Sequence, residues 1–61
     1  MIQVTRLNGS TFVLNCELIE AIEATPDTVV TLVNDHRYVV IEAVDEVIEL
    51  VVSYKRRIHR L

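Results

Sequence analysis

The first two-thirds of the chain alternates apolar and polar positions with the period of β-strands. Ile2–Thr5 repeats every two residues, and Leu7 extends the pattern to Asn8-Gly9. An Asn-Gly pair between two alternating runs predicts a β-hairpin with a type I′ turn, because both central positions of that turn need a positive φ. The second strand of this hairpin is predicted over Thr11–Asn15.

The following segments predict three more strands joined by turns. Glu17–Ile19 is interpreted as a loop or short helical turn, and the strand that follows it is predicted to run through Thr25. Pro26 favours a turn directly after this strand. Thr28–Val33 is rich in the β-branched residues that favour strands, and an Asn-Asp turn leads into a strand over His36–Ile41. Too few residues are left for parallel crossovers, so we expect an antiparallel meander of about five strands.

From Ala43 the apolar period changes to that of a helix. Acidic Asp45 and Glu46 fall in the first turn and basic residues in the last two turns, which complements the helix dipole. Ala43 has no capping side chain, so a shifted or frayed helix start, costing about 1 kcal/mol, is expected. Leu50 and Val52 widen the apolar stripe beyond what one sheet face needs. The predicted fold is α+β: one domain over residues 1–61, with a small antiparallel β meander followed by one C-terminal amphipathic α-helix.

Apolar side chains project from both faces of the two central strands. Val30 and Leu32 point one way and Val29 and Val33 the other; Tyr38 and Val40 likewise oppose Val39 and Ile41. One interpretation is a small closed barrel, and the other is a homo-oligomer that buries the second face. A domain of 61 residues buries little surface on its own, which favours the oligomer. The predicted self-association residues are Val29, Val33, Val39 and Ile41, or whichever sheet face the helix leaves bare.

No motif for catalysis or cofactor binding is present in the sequence. The only glycine, Gly9, cannot build a phosphate-binding loop, and the only cysteine, Cys16, excludes an intramolecular disulfide and a multi-cysteine zinc site. His36 and His59 lack metal-binding spacing, and Glu17, Glu20 and Glu23 are interpreted as a solvated strand edge rather than a cation or partner site. We therefore expect no enzymatic activity, no cofactor and no bound metal.

The charge distribution and the hydropathy pattern bear on location and partners. All nine acidic residues precede residue 53, whereas the basic residues Lys55, Arg56, Arg57 and Arg60 cluster at the end of the helix. This basic tip, with the Asn8-Gly9 turn, is the predicted partner-binding surface; the alternative is that it only complements the helix dipole. The N-terminus has no signal-peptide pattern, and no apolar run approaches the roughly 20 residues of a membrane span, so a cytoplasmic protein without membrane insertion is expected.

Several segments resemble the FlbD/SwrD family of small flagellar proteins, and together they cover nearly the whole chain. They are Val4–Gly9, Phe12–Asn15, Leu18–Glu20, Ile22–Thr28, Tyr38–Val40, Asp45–Ile48 and Tyr54–Arg57. The resemblance implies a non-enzymatic accessory protein that supports swarming and motor power, with flagellar motor or stator components as partners. Ala43 stands where the family pattern has a serine.

The alternative function is a small RNA-binding post-transcriptional regulator of the carbon-storage-regulator type. It would need Arg6, Arg37 and the basic tip to form one basic face. The net acidity and the small number of aromatic residues argue against nucleic acid as a partner.

Overall fold

The computed structural model describes residues 1–24 and 26–58, which form five strands, a short 3₁₀ turn over Cys16–Leu18 and one helix. The predicted α+β class is confirmed. The elements are β1 (Ile2–Thr5), β2 (Thr11–Leu14), β3 (Ile19–Ala24), β4 (Thr28–Leu32), β5 (Arg37–Val40) and α1 (Val44–Ile58).

The five strands divide between two antiparallel sheets. β1 pairs with β2, and β3, β4 and β5 form a three-stranded sheet in that order. The sheets meet where Arg6 bridges Val40 and where the Ile41 N–H donates a hydrogen bond of 2.9 Å to the Thr5 carbonyl. Across the molecule the strands follow the order β2, β1, β5, β4, β3. The division into two sheets was not evident from the alternation of residues.

Small aliphatic side chains fill the centre of the molecule. Val4, Val30, Val40 and Val47 are fully buried, so each sheet and the helix contribute to one core. The helix packs against β1 and β3, and Ile2, Leu14, Cys16 and Leu32 complete the buried set. At about 1.5–3 kcal/mol for each fully buried large aliphatic side chain, a core of this size gives limited stability.

Two loops of the molecule share one geometry. In Arg6–Ser10, the Gly9 N–H donates to the Arg6 carbonyl at 2.9 Å and the Arg6 N–H to the Ser10 carbonyl at 2.8 Å. In Leu32–His36, the Asp35 N–H donates to the Leu32 carbonyl at 2.9 Å and the Leu32 N–H to the His36 carbonyl at 2.8 Å. Gly9 and Asp35 have positive φ, at 92° and 70°. Both are three-residue hairpin loops that end in a left-handed residue.

The predicted type I′ turn at Asn8-Gly9 is therefore wrong. Asn8 does not adopt the positive φ that this turn requires. Its side-chain Oδ1 instead accepts hydrogen bonds from the Ser10 N–H at 3.0 Å and the Ser10 hydroxyl at 2.7 Å. Asn34 does the same for the His36 N–H at 3.1 Å. Local hydrogen bonds from a side chain to the backbone favour the three-residue loop over the two-residue type I′ turn.

The helix begins at Val44 although Ala43 cannot cap it. The Glu46 carboxylate accepts a hydrogen bond from the Ala43 N–H at 3.1 Å, and the Val47 N–H donates to the Ala43 carbonyl at 3.0 Å. This is one half of a capping box. These two hydrogen bonds hold the first turn of α1, so the helix starts directly after Ala43 without a capping side chain at that position.

Candidate functional site

The end of α1 forms the basic tip, whose described members are Lys55, Arg56 and Arg57. All three side chains are exposed in the last turns of the helix. Lys55 Nζ lies 4.0 Å from Glu17 Oε1, a solvated pair of small energetic weight. Arg60, the fourth predicted member, lies outside the described residues. The tip therefore presents at least three cations on a rigid element.

The Asn8-Gly9 turn is a separate surface. Within residues 1–24 and 26–58, no hydrogen bond or ion pair joins Asn8 or Gly9 to the helix. The Asn8 side chain is already used to shape its own loop. The structure thus gives no direct link between the two parts of the predicted partner surface.

The four predicted self-association residues do not form one continuous patch. Val29 and Val39 are cross-strand partners on β4 and β5, and Ile41 directly follows β5. Val39 is 38% exposed and Ile41 58% exposed, whereas Val29 is half-buried. Val33 is also exposed, but it lies in the loop at the opposite end of the hairpin. Of the four residues, only Val29, Val39 and Ile41 lie close enough to contribute to one self-association surface.

An ion pair crosses the same sheet face. Glu23 on β3 is level with Val29, and Arg37 on β5 is level with Thr31. Arg37 Nη2 lies 3.6 Å from Glu23 Oε1, so the two side chains reach over β4 from the outer strands. Among the residues that the structure describes, the buried Thr31 hydroxyl in the middle strand has no hydrogen-bond partner. Alternation predicted a bare apolar face here, but the strand register brings two opposite charges across it.

Glu42 joins the two sheets through its side chain. Its carboxylate accepts hydrogen bonds from the Thr5 N–H at 2.9 Å and the Thr5 hydroxyl at 2.8 Å. Partial burial raises the pKa of Glu42, but these bonds and one from its own N–H lower it by more, so the pKa lies below the ordinary 4.5. No pattern in the sequence indicates this role, because Thr5 and Glu42 are 37 residues apart along the chain.

The start of the helix forms an acidic pole opposite the basic tip. An open groove of about 510 Å³ lies between β1 and the first turns of α1. It is lined by Gln3, Glu42, Asp45, Glu46, Glu49, Leu50 and Ser53. In the part of the chain that the structure describes, no group of three or more His, Cys, Asp or Glu side chains has metal-binding geometry.

The cysteine and the two histidines are the remaining candidate residues. Cys16 is buried in the core at 6% exposure. His36 closes the second loop through its backbone, and His59 lies outside the described residues. No helix in the described chain has the length and apolar character needed to cross a membrane.

Three of the cations required by the RNA-binding alternative, Arg6, Arg37 and Lys55, contact other side chains. The Arg6 guanidinium lies 4.0 Å above the centre of the Phe12 ring, and the Phe12 and Tyr38 rings are 5.3 Å apart. Arg37 pairs with Glu23, and Lys55 pairs with Glu17. RNA binding stays a prediction, and none of these contacts adds support to it.

These features define a class: small α+β proteins with two linked antiparallel sheets, a terminal helix of opposite charge at its two ends, and exposed apolar surface. The family described as flagellar and swarming motility proteins, FlbD, matches residues 1–59, and the chain belongs to this family. The resemblance found in the sequence is confirmed. Comparison with curated proteins and with solved structures gave no match.

Proposed function

We propose that this motility protein is a non-enzymatic accessory factor that supports motor power through protein–protein contacts in the cytoplasm, as a homo-oligomer. The observation that carries the proposal is the balance of apolar surface. Among the described residues eight form the buried core, whereas nine large apolar side chains are exposed. Contiguous exposed apolar surface is typical of proteins that are covered by partners, and Val39 and Ile41, two of these nine, lie on one face of the sheet.

The non-enzymatic part of the proposal has support from the titratable groups. Active sites are where perturbed pKa values cluster. The pKa of Glu42 lies below its ordinary value, and its carboxylate is engaged by Thr5 in joining the sheets. Its perturbation therefore has a structural cause.

The basic tip is the surface that we assign to a motor component. Its cations lie on the last turns of α1, and among the described ion pairs only Lys55 of the tip is engaged. Like charges on a rigid helix end attract an acidic surface and speed association with it. A flagellar motor or stator component with an acidic patch fits this chemistry.

The test is motor torque in the host cell, measured from rotation under load, together with swarming on soft agar. Deleting the gene is expected to lower both, and the wild-type gene to restore both. Arg57→Glu is expected to restore less torque, because reversing one contact charge weakens binding by about ten-fold. Arg37→Glu is the control for charge reversal away from the helix; because it also breaks the pair with Glu23, circular dichroism checks that the variant is folded. Unchanged torque after deletion would overturn the proposal.

A further inference from the structure

Helix α1 carries a second apolar stripe that does not face the core. The first stripe, Val47, Leu50, Val51 and Tyr54, packs on the buried cluster. Val44, Ile48 and Val52 are spaced four residues apart and therefore share another side of the helix. None of these three is a member of the buried core; Ile48 is 45% exposed, and Val44 and Val52 are half-buried.

This second stripe borders an apolar groove of about 230 Å³ between the helix and β3. Ile48, Val51, Val52 and the Lys55 stem line one wall, and Cys16, Ile19 and Ile22 line the other. Leu18, 39% exposed, directly precedes β3. Helix and groove together form an apolar surface that a second helix can cover.

Opposite charges stand at the two ends of the stripe. Asp45 and Arg56 are both exposed and lie 11 residues apart, which is about three helical turns, so they lie on the same side of α1. In an antiparallel pair of helices related by a two-fold axis, Ile48 of each copy lies opposite Val52 of the other. This register brings Asp45 to within one residue of Arg56 of the other copy, an offset of about 1.5 Å along the axis that long side chains can span, twice per dimer because of the symmetry.

We infer that a second copy of this chain occupies this face, with the two α1 helices antiparallel. The inference rests on the homo-oligomer of the proposed function and identifies its contact. The self-complementary charges favour a second copy over an unrelated partner, because both halves of each pair are present on one helix. The outward sheet face has no such complementarity, since its charged residues, Glu23 and Arg37, already pair within one copy.

The test is the oligomeric state of the purified full chain, measured by sedimentation velocity across a concentration series. Ile48→Asp is expected to weaken the dimer by about 100-fold, because it buries an unpaired charge at the contact. Ile58→Asp is the matched control: Ile58 is 44% exposed on the same helix but outside the second stripe, and its variant should dimerise as the wild type does. Val39→Asp tests the sheet-face contact in the same assay.

A charge exchange separates a lost contact from a lost fold. Asp45→Arg and Arg56→Asp should each weaken the dimer by about ten-fold, since each places two like-charged pairs in the interface. The double variant should recover wild-type affinity, with circular dichroism confirming the fold of all three. A monomeric wild type, a double variant no tighter than either single one, or a dimer sensitive to Val39→Asp but not Ile48→Asp would overturn the inference.

The motility assay tests the motor role, the sedimentation assay tests the helix pairing, and either claim can be refuted without the other. A monomeric wild type whose deletion still lowers torque would remove the helix pairing and leave the motor role. A helix-paired dimer whose deletion leaves torque unchanged would remove the motor role and leave the pairing.

Discussion

The hairpin β1–β2 and the hairpin β4–β5 have the same type of three-residue loop, but the rest of the molecule supports them differently. In both loops an asparagine side chain bonds the backbone two residues later, and a residue with positive φ precedes the second strand. Hairpin β4–β5 is extended by β3 into a three-stranded sheet, whereas β1–β2 is a two-stranded sheet. An isolated two-stranded hairpin is marginal in water, so β1–β2 depends on contacts with the rest of the molecule.

The difference shows where the fold is vulnerable. Besides the core, β1–β2 is held at the Arg6–Val40 bridge and by the hydrogen bonds around Thr5. The Thr5 carbonyl accepts from Ile41, and both donor groups of Thr5 bond Glu42. Removing these bonds should loosen β1–β2 before it affects β4–β5.

The largest effect is expected from Glu42→Ala. Loss of two hydrogen bonds to a charged carboxylate should lower the free energy of unfolding by about 2 kcal/mol at neutral pH. Amide hydrogen exchange should quicken in β1 and β2 more than in β4. Denaturant unfolding measures the first effect, and Glu49→Ala, which removes an exposed carboxylate on the helix, is the control.

The same variant has a defined pH dependence. Because the pKa of Glu42 is lowered by folding, its ionised form stabilises the protein above pH 4.5, and this contribution is lost as the pH falls through the lower, folded value. Wild type and Glu42→Ala should therefore converge in stability on acidification. A difference that stays constant down to low pH would show that the carboxylate charge is not the cause.

Local sequence was sufficient for most of the fold. The β-branched run of β4 and the 3.6-residue period of α1 specify their own secondary structure: β4 ends one residue before its predicted end, and α1 begins one residue after Ala43. The Thr5–Glu42 link was not predictable, because its members are 37 residues apart and only the folded chain brings them together. The turn type was missed because the Asn8 side chain bonds Ser10, which a dipeptide rule does not consider.

The candidate site likewise has a part that the sequence predicts and a part that only the folded structure shows. The basic tip follows from residue type and helix period alone, so Lys55, Arg56 and Arg57 were found from the sequence. The Glu23–Arg37 pair depends on the register of three strands, in which Glu23 is level with Val29 and Arg37 with Thr31. Alternation identifies a face, but it does not show which charges meet across that face.

The second effect concerns the first loop. Gly9→Ala should lower the free energy of unfolding by about 1 kcal/mol, because a side chain disfavours a positive φ. A Cβ at this position would meet no atom of residues 1–24 and 26–58 within 4 Å, so the cost comes from backbone conformation and not from steric crowding. Gly9→Asn is the matched control and should cost less, since asparagine tolerates this backbone region. Thermal unfolding measures the stability of both variants. If both lose the same free energy of unfolding, the positive φ of Gly9 is not the cause.

The smallest effect concerns the second loop, where Asp35 holds the position that Gly9 has in the first. Asp35→Gly should raise the free energy of unfolding by about 0.5 kcal/mol, because relief of the left-handed backbone outweighs the greater freedom of glycine in the unfolded chain. Asp27→Gly is the control: Asp27 lies in a turn without positive φ, so there glycine should only destabilise. Both are measured by urea unfolding. If Asp35→Gly destabilises as much as Asp27→Gly, the two loops are not equivalent, and Asp35 contributes more than its backbone conformation.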